Sequence, residues 1–293
     1  MATSIEQYVS HFDGPSGLKK VKVPIPSPGP GEVLVKISAV SLNYRDVEVI
    51  RGDYIHHKSV NQGSEITPCS DMAGTVTKTG AGVLKWKPGD RVLSTFVPAH
   101  KTGKLTEEAL KSSLRLPQPG TAWMAINGPR PLGELGAKDQ YILLQGTGGV
   151  SVAGLLLGKA LGVKVIITSS SSEKLCTSKD LDIILETGGL QTLGKSFSCA
   201  AYGGLINWIG YTSGKTQAAG EQPNVNVLTI SRCLTLKGFV NGPTDRFEEM
   251  VRFSGEHQIH PVVCKVFGYG EAREAFEYME GGSHFGKIVI KVN

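Results

Sequence analysis

One stretch limits the possible folds more than any other: Tyr141-Ile-Leu-Leu-Gln-Gly-Thr-Gly-Gly-Val-Ser-Val-Ala-Gly-Leu-Leu-Leu-Gly-Lys-Ala-Leu161. An apolar run of strand length enters a glycine loop, and an apolar helix of about three turns follows. Gly146 permits the tight turn, and Gly148 lets the backbone approach a pyrophosphate. The helix start at Gly149 and Val150 offers unpaired N–H groups and a positive dipole end to that anion, with Thr147 inside the loop. The third glycine of a GxGxxG pattern is replaced by Ser151, which is still small enough for close helix–strand packing. A second strand, Val163 to Thr168, follows about twenty residues on, as a βαβ unit requires.

The surroundings agree with that unit. From about Thr121 to Val240 apolar strands alternate with helices, the pattern of a parallel sheet. From Gln7 to about Val97 the texture differs: short β-branched runs broken by Pro and Gly indicate a mostly β domain. Near the end, Ala272, Ala275, Phe276 and Met279 fall at helical spacing, Gly281-Gly282 stops the helix, and Lys287 to Val292 reads as a strand. With 293 residues the chain can build two cores. The expected division is 1–120 for the β domain, 121–264 for the α/β domain, and 265–293 as a return to the first.

Several classes drop out. No apolar run reaches the ~18 residues of a membrane helix, and the first residues, with neither a basic nor an apolar region, do not read as a secretory signal. The five cysteines are scattered without CxxC spacing, so reduced thiols and a cytoplasmic setting are expected. A net charge of +5, with dispersed lysines and no aromatic stacking platform, argues against nucleic acid as a partner.

The second strand ends on Ser169-Ser-Ser-Ser172 followed by Glu173-Lys174. A carboxylate at this point would bind the ribose 2′-hydroxyl of NAD and repel the 2′-phosphate of NADP. Ser169, Ser170 and their neighbours offer hydroxyls instead, and Lys174 adds positive charge. NADP(H) is the expected cofactor; a polar loop that merely caps a helix at Glu173 remains the alternative.

The blocks PGPGEVLVKISAVSLNYRD (28–46), PCSDMAGTVTKTGAGVLKWKPGDRV (68–92), GGLINWIGYTSG (203–214) and HFGKIVIKV (284–292), together with the glycine loop, resemble the medium-chain dehydrogenase/reductase superfamily. The likeness is to its zinc-free quinone oxidoreductase and enoyl reductase branch, and it runs almost end to end. It implies a GroES-like domain joined to a Rossmann doubly wound parallel sheet, with the active site in the cleft between. Zinc members carry a cysteine where this chain has Asn43, and Gly-His-Glu where it has Ser70 and Asp71; the closely spaced cysteines of a structural zinc lobe are missing too. No metal is expected.

What remains accessible without a Lewis acid is a conjugated carbonyl, whose enolate hydrogen-bond donors can hold. The resemblance implies that Asn43 lines the nicotinamide pocket. Tyr44 and Tyr54 are the nearby phenols, each of which can equally be a packed ring with a satisfied hydroxyl. Arg45 and Asp46 read as an ion pair or cap. The cofactor is expected to run from residues 146–150 past Gly210 and Tyr211 toward Phe239, Val240 and Asn241; Phe285 and Lys287 are added by resemblance only. The expected activity is NADPH-dependent reduction of a quinone, enone or enoyl substrate. A redox-silent cofactor binder or a non-enzymatic partner protein are the alternatives. A homodimer is expected through the region 226–238.

The chain is also short. In the resembled family a helix, a third strand and a further helix separate the SSSSEKL and LDIILETGG blocks. Here thirteen residue steps lead from Thr168 to Leu181, a reach of at most ~43 Å. That crosses a sheet but cannot also build a helix and another strand. A second shortening falls between Leu114 and Thr121. The expected sheet therefore lacks a strand on its adenosine side and has an uncovered edge.

Overall fold

The computed structural model describes residues 3–54, 65–95, 97–111, 120–136, 138–168, 180–214, 224–238 and 241–292. They form two compact units, one from residues 1–119 with 263–293 and one from 120–262.

The first unit opens with β1 (Ser4–Val9) and β2 (Lys19–Pro24), an antiparallel pair. It continues through β3 (Val33–Ser41), helix α1 (Tyr44–Arg51), β4 (Asp71–Thr79), β5 (Arg91–Leu93) and a short α2 (Glu107–Lys111). The second unit holds α3 (Thr121–Asn127), β6 (Tyr141–Gln145), α4 (Gly149–Leu161), β7 (Lys164–Thr168) and β8 (Leu181–Glu186). It ends with α5 (Leu190–Cys199), β9 (Ala200–Trp208), α6 (Val225–Ser231), β10 (Thr235–Gly238) and α7 (Thr244–Glu256). The chain then returns to the first unit with β11 (Val263–Gly268), α8 (Ala272–Glu280) and β12 (Lys287–Lys291).

That return completes the first unit's sheet, which runs β11-β12-β3-β4-β5. Its core packs Val47 and Ile50 of α1 against Ala275, Phe276 and Met279 of α8 and Ile288 and Ile290 of β12. Helix α1 has clear local causes. The Asn43 backbone N–H donates to the Asp46 carboxylate at 2.8 Å, and Gly52 closes the C-terminus at φ 76, a left-handed turn that suits glycine.

The second unit is a five-stranded, all-parallel sheet in the order β10-β9-β8-β6-β7. Apolar clusters cover both faces, one built with α3, α4 and α7 and one with α5, as the near-continuous apolar strands require. In chain order the sheet reads 6-5-4-1-2 on the doubly wound scheme, and among the described residues no strand lies beyond β7. The expected shortage falls on residues 169–179, which lie outside the described residues.

Helix α4 lies close to the sheet for a reason the glycine-loop motif does not contain. A Cβ on Gly154 would sit 2.8 Å from Leu144 Cδ2, and one on Gly158 would sit 2.6 Å from Val165 Cγ2. These two glycines, one turn apart, set the helix–sheet spacing. Ser151 contributes differently, donating its hydroxyl to the Gln145 carbonyl at 2.6 Å.

Candidate functional site

The strand order reverses at β6, with β7 on one side and β8 on the other, and ligands of such sheets bind outside the carboxyl ends at that point. Three loops emerge there: residues 146–150 after β6, Thr187–Gly189 after β8, and Gly210–Tyr211 after β9. Gly146 needs its left-handed φ of 77. Gly148 needs neither a special φ nor space within the protein: its backbone is extended, and a Cβ there would meet no heavy atom within 4 Å. The room it leaves lies at the N-terminus of the 13-residue α4, which no side chain caps. Open N–H groups, a dipole end and a bare backbone fit a pyrophosphate.

The loop after β8 is held by two side chains. Gln145 Oε1 accepts from the N–H groups of Thr187 (2.9 Å) and Gly188 (3.1 Å), while its Nε2 donates to Glu186 at 2.8 Å. Glu186, fully buried, accepts at Oε1 from Gly188 N–H (2.9 Å), Gly189 N–H (3.0 Å) and Thr192 Oγ1 (2.6 Å). Ser196 donates a further bond to its other oxygen. A buried carboxylate needs such partners, and with them filled Glu186 orients the loop rather than binding a ligand. The loop after β9 is tied to the same place, with Thr212 N–H on Thr187 O (3.0 Å) and Ser213 N–H on Gly188 O (2.9 Å). Gly189, at φ 95, lets Tyr211 approach; a Cβ would lie 2.8 Å from its Cα. Asn241, after β10, is buried with its Oδ1 unpaired, a polar atom that a ligand amide or hydroxyl would satisfy.

The first unit contains a partly buried polar cluster around the buried Asp46. Lys287 Nζ donates to Asn43 Oδ1 at 2.7 Å and to the Leu42 carbonyl at 2.9 Å, and Asn43 Nδ2 donates to Asp71 at 3.0 Å. The Asn43 amide is therefore fixed at both ends, with one N–H left over. Burial, reinforced by the nearby Asp71 charge, pushes Asp46 up to about 7; Asp71 is raised by burial against the pull of Lys287. Burial lowers Lys287 in turn, against the pull of both carboxylates. The Cys69 thiol is driven well up by burial and by the same carboxylates. Beside the cluster the Arg45 guanidinium lies 4.3 Å from the Tyr54 ring centre, which fixes that ring. Tyr44 is 48% exposed, and Phe285 is 47% exposed.

Thus the structure gathers Asn43 and Lys287, and sets Tyr54 on Arg45, within one unit. It gathers residues 146–150 with Gly210 and Tyr211 in the other. Ser169, Ser170, Lys174, Phe239 and Val240 lie outside the described residues. The sequence reading did not find Gln145 and Glu186, although each ends an apolar strand on a polar residue, a signal available in QGTGG and ILETGG. Among the described residues no group of three His, Cys, Asp or Glu side chains could hold a metal, and no helix is long and apolar enough to cross a membrane.

Comparison with known proteins agrees with this architecture. Residues 29–153 match the alcohol dehydrogenase GroES-like domain, and residues 161–290 match the zinc-binding dehydrogenase domain. A zinc-type alcohol dehydrogenase-like protein of Schizosaccharomyces pombe is 30% identical, over 89% of this chain and 91% of its own. A mitochondrial NAD(P)H oxidoreductase of Danio rerio is 26% identical over 89% and 84%. A candidate alcohol dehydrogenase of Sinorhizobium meliloti superposes over 100% of both chains with a TM-score of 0.81 and 26% identity. The chain belongs to the medium-chain dehydrogenase/reductase superfamily of pyridine nucleotide-dependent oxidoreductases. The yeast alignment spans 323 positions but uses 89% of 293 residues, about 261, so roughly 62 positions (323 − 261) have no counterpart here.

Proposed function

We propose that this chain is an NADPH-dependent reductase that acts on a conjugated carbonyl, a quinone, enone or enoyl substrate, without a metal. The observation that carries the reading is Asn43. At the position where zinc members place a cysteine, an amide is clamped between the Asp71 carboxylate and the Lys287 ammonium. The internal cation occupies the neighbourhood a metal ligand set would need, and the remaining Asn43 N–H is a neutral hydrogen-bond donor. Donors of this kind hold a developing enolate, whereas oxidation of an unactivated alcohol calls for a Lewis acid.

A bound nicotinamide would supply the hydride. Residues 146–150 and the α4 N-terminus would hold its pyrophosphate, Gly210, Tyr211 and Asn241 its nicotinamide end, and, on the sequence reading, Ser169, Ser170 and Lys174 the adenosine phosphate. The chain's own work is to fix donors. Lys287 and Asp71 orient Asn43, Arg45 holds the Tyr54 ring, and the Tyr54 hydroxyl gives a hydrogen bond to the substrate oxygen. Tyr44 is the alternative donor.

NADPH consumption with a panel of quinones and enones tests the reading, alongside NADPH binding by fluorescence. Tyr54→Phe is expected to slow turnover by about 10²-fold with little change in NADPH affinity. Binding without turnover on any substrate would favour a redox-silent cofactor binder. Activity that is lost on chelation would overturn the metal-free mechanism.

A further inference from the structure

One side chain stands behind the loops at the carboxyl end of the second unit's sheet. Gln145 is the last residue of β6 and directly precedes Gly146. Its backbone carbonyl accepts from the Ser151 hydroxyl in the first turn of α4 at 2.6 Å and from Thr187 Oγ1 at 3.3 Å. Its side-chain oxygen takes the N–H groups of Thr187 and Gly188, and its amide nitrogen donates to Glu186 and, at 3.0 Å, to Ser196 Oγ. Two lone pairs and two N–H groups thus have four partners, and the amide cannot turn over, because backbone N–H groups only donate. The bonds run on from there. The Thr187 carbonyl accepts from Thr212 N–H at 3.0 Å and Thr212 Oγ1 at 3.1 Å, and the Gly188 carbonyl accepts from Ser213 N–H and the Ser213 hydroxyl. A single chain of bonds therefore links the glycine turn to Gly210 and Tyr211.

We propose that Gln145 is a positioning residue for the cofactor, fixing the seat of the nicotinamide half relative to the pyrophosphate turn. The inference rests on the dinucleotide reading above and adds a division of labour between the two halves of the site. The pyrophosphate turn has local causes, the left-handed Gly146 and the start of α4. The loop 187–189 does not: it carries two glycines, and its shape depends on Gln145 and Glu186. Without the amide, Thr187 N–H loses its partner and Gly188 N–H keeps Glu186 alone. A loop with two glycines then gains conformational freedom. The nicotinamide half would have to order it on binding, so its affinity falls with the population of the competent form. Glu186 itself keeps Gly188, Gly189, Thr192 and Ser196, so the fold survives. The adenosine half makes no use of this loop.

Titration calorimetry of the full chain with NADP+ and with 2′,5′-ADP separates the halves. Gln145→Met should raise the NADP+ dissociation constant about 30-fold, the worth of two hydrogen bonds, and leave that of 2′,5′-ADP within about two-fold. Should the parent prefer NAD+, NAD+ and ADP replace the two probes. Gln145→Glu keeps an acceptor for Thr187 and Gly188 but sets a second carboxylate against Glu186. Such a pair shares a proton in acid and repels once both are ionised. Among the described residues, the other side chains bonded to this side chain or its carbonyl, Ser151 of α4, Thr187 and Ser196 of α5, do not titrate in this range. Relative to the parent at the same pH, Gln145→Glu should bind NADP+ nearly normally at pH 5.5 and about 10-fold or more weakly at pH 8.5. Unchanged NADP+ affinity in Gln145→Met would overturn the proposal. So would equal losses for NADP+ and 2′,5′-ADP, which indicate general damage to the sheet end, or a Gln145→Glu defect that is the same at both pH values. A parent that binds neither NADP+ nor NAD+ would remove the dinucleotide reading, and this inference with it.

Discussion

Replacing Lys287 by Met would remove the ammonium that Asn43 and Leu42 accept from and that offsets Asp71 and Asp46. Two hydrogen bonds are lost at every pH, about 2 kcal/mol together. The carboxylates add a pH-dependent part. Lys287 holds both of their pKa values below where burial alone would set them, so its removal raises them further. An acid whose folded pKa lies above its unfolded value loses stability as pH rises from the unfolded value through the folded one. At pH 5.5 Asp46, already near 7 in the native protein, is protonated in variant and parent alike, and the loss stays near 2 kcal/mol. At pH 8.5 the variant holds negative charge in the cluster with only Arg45 to offset it, and the loss should reach about 3–5 kcal/mol. Calorimetry of the first unit's transition would show this as a drop of about 5 °C at pH 5.5 and 10 °C or more at pH 8.5, at roughly 2–4 °C per kcal/mol. Lys287→Arg, which keeps the positive charge, should recover part of the extra loss at pH 8.5. An equal drop at both pH values, or a larger one at pH 5.5, would refute the view that Lys287 neutralises these carboxylates.

Asp46→Asn should flatten the parent's pH dependence: stability relative to the variant falls as pH rises from about 4 through 7, by up to ~4 kcal/mol, read by denaturant melts. Gly158→Val forces a side chain against Val165 and Val163, and should cost about 2 kcal/mol in urea unfolding of the second unit; no loss would mean that α4 moves freely. Asn241→Ala removes a buried polar atom that lacks a partner, so NADPH affinity should fall several-fold while the melting temperature holds or rises. Lys174→Ala should narrow the preference for NADPH over NADH, measured as a ratio of dissociation constants.

Local pattern was enough for much of this molecule. The strand, glycine loop and helix at 141–161 announce their unit because turn, anion site and apolar period lie within one stretch of chain. The expectation of a shortened sheet came from counting residues between Thr168 and Leu181, since chain length bounds what can be built. The loss of zinc ligands at Asn43, Ser70 and Asp71 was legible once the surrounding blocks had been aligned with the superfamily. Only folding decided the rest. Lys287 reaches Asn43 across 244 positions, and Glu186 meets Gln145 across 41; periodicity says which face a residue takes but not which distant residue shares it. The same holds for Gly154 and Gly158, which look like weak helix positions until Leu144 and Val165 come up beneath them, and for Asp46, whose raised pKa exists only because β4 and β12 enclose it.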